Sequence, residues 1–192
     1  SQAGVKVALT AEQSLQESIM SRSVIVAGVA MAPFDTPGKA RDYRVMATDA
    51  VADVLADAGV AYPSIEQAYV GYVYGDSTSG QAALYPSGLS GIPIINVNNN
   101  CATGSTALWL ARQAIASGAA DCVLALGFEQ MKRGALASVY DDRPDPLGDF
   151  LDTCEARLGP SDSPMALRLF GGAGLEYQQR YGAEDRTFAL IA

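Results

Sequence analysis

The amino-acid sequence predicts an α/β fold in which helices cover a mostly parallel sheet. Short apolar runs with the length of strands alternate along the chain with segments whose apolar side chains recur at helical spacing. The last of these runs, residues 122–127, is apolar throughout, which is typical of a parallel strand covered on both faces. Strands that alternate with helices form parallel sheets with right-handed crossovers, so the element order predicts one such sheet.

The first predicted strand covers residues 23–30, a β-branched apolar run that Pro33 ends. An amphipathic helix follows, and Gly59 stops it. The apolar side chains of one helix face are Ala47, Val51, Val54, Leu55 and Ala58. Residues 67–74 form the second predicted strand, and these three elements begin the core.

A connection rich in glycine and proline, residues 85–91, leads to the third predicted strand at residues 92–97. A helix follows this strand directly and ends at Gly118. Its apolar spacing rests on Leu108, Ala111 and Ile115. Residues 122–127 then supply the fourth strand.

The composition changes after Glu129, and the sequence divides into three parts. Residues 1–22 have little periodicity and are interpreted as a leader or an appended segment. Residues 23–129 form the core half of the fold. Residues 130–192 form a loop or cap region, which is polar and rich in proline at first and regains helical spacing around a glycine-rich break. We expect this last region to be incomplete at its C-terminus.

The charge of the chain excludes one class of partner. Thirteen basic and twenty-one acidic residues give a formal net charge of −8. This charge would repel a phosphate backbone and no basic cluster offsets it, so we expect no nucleic-acid partner. No apolar run approaches the roughly 18–20 residues that cross a bilayer, and residues 1–20 lack the pattern of a signal peptide. We therefore expect a cytoplasmic protein without a membrane span.

The cysteine and histidine content limits the chemistry. Three cysteines at wide spacings, Cys101, Cys122 and Cys154, argue against a disulfide framework. The chain has no histidine, so a zinc site would need all three cysteines and a carboxylate, and we expect no metal and no bound cofactor. The missing histidine also removes the commonest general base at neutral pH from the chain.

The most informative stretch is NNNCATGST, residues 98–106. It joins the third predicted strand to the helix that follows, with Asn100 as the predicted N-cap. Unpaired backbone N–H groups and the positive end of the helix dipole would favour a thiolate at Cys101. Most free cysteines are small buried hydrophobes, and position alone leaves the nucleophile and the core residue as equal alternatives.

The other two cysteines are weaker candidates. Cys122 lies inside an apolar run, and burial raises the pKa of such a thiol, so we interpret it as a core residue. Cys154 lies in a polar segment beside Asp152 and Glu155 and is interpreted as incidental.

Three other segments resemble binding motifs but lack essential parts of them. Residues 75–80, GDSTSG, have neither a lysine nor the P-loop spacing and are interpreted as a plain loop rather than a phosphate cradle. Residues 171–174, GGAG, follow no apolar strand and are interpreted as a close-packing bend rather than a dinucleotide site. The aspartates at 141, 142, 145 and 149 lack the terminal glutamate of an EF-hand and are interpreted as a solvated loop.

Three motifs carry a resemblance to a known family: VNNNCATGSTALWLARQ, ADCVLALGFEQM and MALRLFGGAGLEYQQRYG. In this order they are similar to thiolases of the sterol carrier protein x and lipid-transfer type, and the likeness runs from about Val24 to the last residue. The resemblance implies a layered α/β thiolase fold of two similar halves, of which this chain is the N-terminal one. It also implies a homodimer with residues 94–98 at its interface.

The resemblance implies a reaction as well. Thiolases of this type cleave a 3-oxoacyl-CoA by transferring its acyl group to coenzyme A, which is a substrate and not a cofactor, in fatty acid or sterol side-chain degradation. Cys101 matches the residue that becomes acylated, and Phe170 and Gly171 fall where the acyl-CoA pocket is lined. The family takes a histidine and a second acid/base group from the C-terminal half. We therefore expect this chain alone to be inactive.

Two alternatives stay open. The chain could be a subunit of a thiolase-like aldolase that shortens the side chain of a steroid acyl-CoA together with a partner protein, because such relatives look similar in this half. It could also be a non-catalytic module that binds a lipid or a partner through exposed apolar faces. The intact Cys101 favours the thiolase.

Overall fold

The computed structural model describes residues 22–36, 38–39, 41–131 and 140–191. The chain forms two compact units, Ser1–Ala135 and Leu136–Ala192, which are called the sheet unit and the helical unit below. The predicted leader lies, apart from Arg22, outside the described residues, so its nature stays a prediction. The predicted boundary at residue 129 also stays a prediction.

The sheet unit is built on three parallel strands, β1 (Gln67–Gly71), β2 (Ile94–Val97) and β3 (Val123–Gly127). Their order across the sheet is β2-β1-β3, with Gly71 of β1 opposite Val97 on one side and Gly127 on the other. This sheet confirms the predicted α/β fold. Three of the five residues of the central strand are buried and the other two are partly buried, as expected for a parallel strand covered on both faces.

Three helices complete the sheet unit: α1 (Tyr43–Ala58), α2 (Ser79–Leu84) and α3 (Thr103–Ala116). The predicted helices correspond to α1 and α3, and Gly59 ends α1 in the left-handed conformation as expected. The six-residue α2 was not predicted, because it is too short to show a helical period. Tertiary contacts stabilise it instead, since the Asn96 side chain of β2 accepts a hydrogen bond from the Gly80 N–H at 2.9 Å.

One hydrophobic core joins the sheet to α1 and α2. Its buried side chains are Ala47, Val51, Ile65, Ala68, Val70, Tyr72, Ala83, Leu84, Leu124 and Leu126. Three of these residues are alanines, which let the helices pack closely on the sheet. The apolar face predicted for α1 points into this core at Ala47 and Val51, while Val54 and Leu55 pack against its border.

The strand predicted at residues 23–30 is wrong. These residues have no secondary structure, and Ile25 and Val26 are more than 70% exposed. Gly28 lies against the end of α1, where an added Cβ would come within 2.7 Å of the Ala58 nitrogen. The Val29 N–H binds the Asp57 carboxylate at 2.8 Å instead of a neighbouring strand. A β-branched run adopts a strand only when a sheet edge pairs with it, and here α1 takes its backbone hydrogen bond.

The helical unit contains α4 (Gly148–Leu158), α5 (Met165–Tyr181) and α6 (Asp185–Ile191). Two predictions are corrected here. The polar segment contains α4, which buries Cys154, so this residue is a core residue and not an incidental one. The glycines at 171–174 do not bend the chain but lie inside the continuous α5, where Gly172 makes close contact with Leu158.

In the part of the chain that the structure describes, we find no helix with the length and apolar character that a bilayer crossing requires.

Candidate functional site

The carboxyl ends of the three parallel strands meet at one edge of the sheet. β1 continues into residues 72–74, β2 into residues 98–101, and β3 into residues 128–129. In open α/β sheets ligands bind at this edge, where the loops after the strands converge. Cys101 therefore lies on the side of the sheet where a site is expected.

Cys101 occupies the turn between β2 and α3, and it is exposed. The predicted N-cap is wrong, because α3 begins at Thr103 and Ala102 is its N-cap residue. Asn100 lies two residues before Ala102. Asn100 has a φ of 48°, in the left-handed region, and its amide oxygen lies 3.8 Å from the Cys101 sulfur. The side chain that would cap the helix thus faces the thiol instead.

Hydrogen bonds from α3 hold the backbone of this turn. The Thr103 hydroxyl accepts from the Asn99 N–H at 2.9 Å and donates to the Asn100 carbonyl, which also accepts from the Thr103 N–H at 3.1 Å. The Thr106 hydroxyl accepts from the Asn99 side-chain amide at 2.9 Å. The amides and hydroxyls of the motif therefore fix the position of Cys101, and the structure explains why the motif is rich in asparagine and threonine.

Small residues bring the start of α3 close to the strand ends. A Cβ added to Gly71, the last residue of β1, would lie 2.9 Å from the Thr103 carbonyl oxygen and 2.7 Å from its methyl group. A Cβ added to Gly127 would lie 3.7 Å from the Gly104 Cα. Glycine is required at position 71 because the backbone of α3 occupies the space of a side chain.

Glu129, which follows β3, connects the carboxyl end of β3 to that of β1. Its two carboxylate oxygens accept hydrogen bonds from the N–H groups of Val73 at 3.0 Å and Tyr74 at 2.9 Å. The predicted strand at 67–74 ends at Gly71 for this reason, since the next backbone donors turn away from the sheet ladder. Only the Tyr72 N–H still reaches the carbonyl of Val97 in β2.

Tyr74 belongs to the surroundings of Cys101. Burial raises the pKa of its phenol, and the nearby negative charges of Glu129 and a Cys101 thiolate raise that pKa further. Sequence reasoning missed both Tyr74 and Glu129. The available signal was a carboxylate placed directly after an apolar parallel strand, where strand ends converge.

The residues around Glu129 connect three elements of the sheet unit. The Phe128 ring stacks on Tyr43 and Tyr72, with centroids 4.7 Å and 5.1 Å apart. The Gln130 side chain accepts a hydrogen bond from the Tyr43 N–H at 3.0 Å, at the start of α1. The GFEQ motif, which carried part of the resemblance, therefore has a structural role in this unit.

The other two cysteines are less accessible than Cys101. Cys122 is half-buried and packs against the hydrophobic core, in agreement with its predicted core character, and burial, followed by the charge of Glu66, raises the pKa of its thiol. Cys154 is buried in α4. Among the residues that the structure describes, no cluster of three or more cysteine, aspartate or glutamate side chains could hold a metal ion.

The segment at residues 75–80 forms a closed loop that continues into α2. The Asp76 carbonyl accepts hydrogen bonds from the Ser79 N–H, the Ser79 hydroxyl and the Tyr72 hydroxyl. These internal bonds support the interpretation as a plain loop, because the loop binds its own donors.

Phe170 and Gly171 lie on α5 in the helical unit, and both are exposed. Phe170 is 76% exposed, and a Cβ added to Gly171 would meet no atom within 4 Å. Their role in substrate binding stays a prediction.

Together the fold and the site define an α/β protein that presents an exposed thiol at the carboxyl edge of a parallel sheet. Residues 23–144 match the family model described as thiolase, N-terminal domain. The chain belongs to the thiolase family, and this match confirms the resemblance that its motifs carry.

Individual relatives agree with this assignment. The chain is 51% identical to sterol carrier protein 2 of Gallus gallus over 177 residues, covering 91% of this chain and 32% of that protein. It is 41% identical to non-specific lipid-transfer protein-like 2 of Caenorhabditis elegans, over 88% of this chain and 42% of that protein. A more distant match is benzoylsuccinyl-CoA thiolase subunit BbsB of Thauera aromatica, 33% identical over 57% of this chain and 29% of that protein.

The chain spans about a third of the length of the sterol carrier proteins it matches. The shared region includes most of the chain in these matches and contains the thiolase N-terminal domain.

Proposed function

We propose that this chain carries the acyl-accepting residue of a 3-oxoacyl-CoA thiolase of the lipid and sterol side-chain type, and that Cys101 is that residue. The observation that carries the proposal is the placement of an exposed thiol at the carboxyl edge of the sheet, directly before α3. The other two cysteines are half-buried and buried. Only Cys101 combines access for a substrate with the positive end of a helix dipole.

The proposed reaction has two steps. The Cys101 sulfur attacks the 3-oxo carbonyl carbon, forms a carbon–sulfur bond and breaks the bond between the carbonyl carbon and its α-carbon. The electron pair of that bond leaves with the small acyl-CoA that contains the α-carbon, acetyl-CoA or propionyl-CoA, and this carbon takes up the proton. The thiol of coenzyme A then attacks the thioester, releases the acyl group as a new acyl-CoA and returns the proton to Cys101.

The developing negative charge on the carbonyl oxygen needs hydrogen-bond donors. In this chain the backbone N–H of Cys101, in the turn before α3, is the proposed donor, and a second donor would complete the oxyanion site. Coenzyme A and the acyl chain bind as substrates, and no resident cofactor takes part.

The proton of Cys101 needs an acceptor that this sequence does not supply. The chain has no histidine. Tyr74 keeps its proton at neutral pH because its pKa is raised, and Glu129 already accepts two backbone hydrogen bonds. We therefore expect acylation by the chain alone to be slow, and to accelerate when a histidine from another part of the enzyme is supplied.

A homodimer is part of the proposal. β2 is an edge strand of the sheet, since its one neighbour among the described strands is β1. An exposed strand edge offers unpaired backbone groups that a second copy of the chain can cover. Ile95 of β2 is 37% exposed and would contribute apolar contact area there.

Acyl trapping tests the proposed nucleophile. The chain is incubated with a 3-oxoacyl-CoA and with a simple acyl-CoA, and the attached mass is located by peptide mapping in the wild type, Cys101→Ser and Cys122→Ser. We expect an acyl group on the peptide that contains Cys101, lost in Cys101→Ser and retained in Cys122→Ser. Equal acylation in Cys101→Ser and the wild type would show that the assignment is wrong.

A lipid-binding module is the second candidate function. Several relatives carry sterol carrier or lipid-transfer names, and α5 exposes Leu167, Phe170 and Leu175. This candidate predicts that a fluorescent fatty acid binds equally well to Cys101→Ser and more weakly to Phe170→Ser. Release of an aldehyde or ketone from a steroid acyl-CoA without added coenzyme A would instead favour the aldolase.

A further inference from the structure

We propose that Asn100 is a positioning residue for the Cys101 thiol, and that its side-chain amide contacts the sulfur both before and after the thiol loses its proton. This inference rests on the proposed role of Cys101 as nucleophile. Nothing in the resemblance assigns a role to this asparagine beyond its place in the motif.

The backbone of Asn100 adopts a conformation that few residues tolerate. Its φ of 48° lies in the left-handed region, where asparagine and glycine are favoured and a residue with an ordinary side chain is strained. Two hydrogen bonds from Thr103 reach the Asn100 carbonyl, and the Asn100 N–H binds the Asn98 side-chain oxygen at 3.3 Å. Both sides of the residue are held, so its side chain has a defined direction.

This conformation brings the amide to the sulfur. The Asn100 amide oxygen lies 3.8 Å from the Cys101 sulfur and accepts a weak hydrogen bond from its S–H group. A half-turn of the amide exchanges its oxygen for its NH₂ group, because both ends have nearly the same shape. The rotated amide donates to a thiolate, and hydrogen bonds to charged groups are about twice as strong as neutral ones.

Among the described contacts, no neighbouring element donates a hydrogen bond from a neutral amide to the Cys101 sulfur. The titratable groups that face Cys101 are Tyr74, after β1, and Glu129 behind it, after β3. Glu129 is acidic and Tyr74 keeps its proton at neutral pH, so neither of them brings a positive charge to the sulfur. A neutral amide can therefore stabilise the thiolate without adding a charge that would resist its reaction with an acyl group.

Alkylation of the thiol tests this role without any acyl-CoA. The rate at which iodoacetamide modifies Cys101 is measured between pH 6 and 10, read by peptide mass, in the wild type, Asn100→Gly and Asn100→Asp. Asn100→Gly keeps the left-handed backbone and removes the amide. Asn100→Asp keeps the size of the side chain and replaces the NH₂ donor with a carboxylate oxygen.

We expect the midpoint of the rate against pH to rise in the order wild type, Asn100→Gly, Asn100→Asp. The rise is roughly half a pH unit for Asn100→Gly, from the lost donor, and roughly one unit or more for Asn100→Asp, from the added negative charge. Alkylation at neutral pH slows correspondingly, by about threefold to tenfold.

Two controls separate positioning from a purely structural role. Asp57→Ala removes the hydrogen bond between the Val29 N–H and the Asp57 carboxylate, at the end of α1 and outside the turn that holds Cys101, so it lowers the melting temperature without moving the midpoint. Alkylation of the half-buried Cys122 in the same samples reports loosening of the fold. An unchanged Cys122 rate shows that a shift at Cys101 is local.

The proposal is overturned if both Asn100 variants give the wild-type midpoint, or if Asp57→Ala moves the midpoint as far as Asn100→Gly does. Failure of acyl trapping at Cys101 would overturn the proposed function and leave these alkylation midpoints measurable. A wild-type midpoint in the variants together with normal acyl trapping would refute the role of Asn100 alone.

Discussion

The sheet unit and the helical unit differ in how closely the elements within each unit pack. Of the apolar residues that the structure describes as buried, all but Cys154 belong to the sheet unit. In the sheet unit, glycines such as Gly71 stand where another backbone leaves no room for a Cβ. In the helical unit Gly171 has open space around it, and Phe170 is exposed.

This difference shows that two glycines in one chain can have opposite effects on stability. Gly71 is a packing requirement, because a side chain there would displace α3 and with it Cys101. Gly171 lies inside a helix, where glycine is among the least favourable residues. The helical unit is instead held by local contacts, such as that between Tyr177 and Tyr181, whose ring centroids are 4.7 Å apart.

The largest expected effect comes from Gly71→Ala. The added methyl group would overlap the Thr103 carbonyl oxygen, so we expect a loss of about 3 kcal/mol in the free energy of unfolding. Urea denaturation followed by the fluorescence of Trp109, the single tryptophan, measures it. Cys101 alkylation should also change, because the start of α3 must move.

Gly171→Ala is the matched control for this change. The same methyl group added inside α5 should stabilise the helix by roughly 0.5–1 kcal/mol, because no atom opposes it and alanine favours the helix. Equal destabilisation by both substitutions would contradict the contrast drawn between the two units.

A smaller effect is expected from Glu129→Gln. The amide keeps one acceptor oxygen for the two N–H groups of Val73 and Tyr74, so one backbone donor loses its partner. We expect a loss of about 1–2 kcal/mol in the free energy of unfolding. Hydrogen exchange should accelerate at residues 73 and 74 and not in α5, and unchanged exchange at both residues would contradict this role of Glu129.

The smallest effect concerns pH. Burial raises the pKa of Cys122 above its ordinary value of 9.0, so the folded protein keeps this proton where the unfolded chain has lost it. Its contribution to stability is complete below pH 9 and is lost as the pH rises through the higher, folded-state pKa. Denaturation curves between pH 8 and 10.5 should show a shallower decline for Cys122→Ala, with the remaining decline partly due to Tyr62 and Tyr74.

Several sequence-based predictions are confirmed because local pattern decides them. The spacing of Ala47 and Val51 predicts α1, and the left-handed Gly59 ends it as expected. The apolar run before Gly127 is a parallel strand. These elements hold because hydrophobic period and glycine signals act over a few neighbouring residues.

Other predictions are wrong because contacts that the sequence pattern does not reveal decide the local structure. Residues 23–30 have the composition of a strand, but the Asp57 carboxylate and the end of α1 hold their backbone. The glycines at 171–174 suggest a bend, yet α5 continues through them. Asn100 suits an N-cap, but the hydroxyl of Thr103 binds its carbonyl and the helix begins later. At residues 23–30 tertiary contacts outweigh local propensity, whereas at Asn100 a hydrogen bond from a residue three positions ahead competes with the cap.

By itself the sequence determined the parallel α/β class, the position of Cys101 between a strand and a helix, and the family likeness of its motif. Only the tertiary structure decided that β1 lies between the other two strands, that Glu129 binds the backbone beside Tyr74, and that the Asn100 amide faces the thiol. The physical reason is the separation along the sequence over which each kind of interaction acts. Hydrophobic period and motif spacing act between near neighbours in the sequence, whereas the surroundings of Cys101 are assembled from strand ends that only folding brings together.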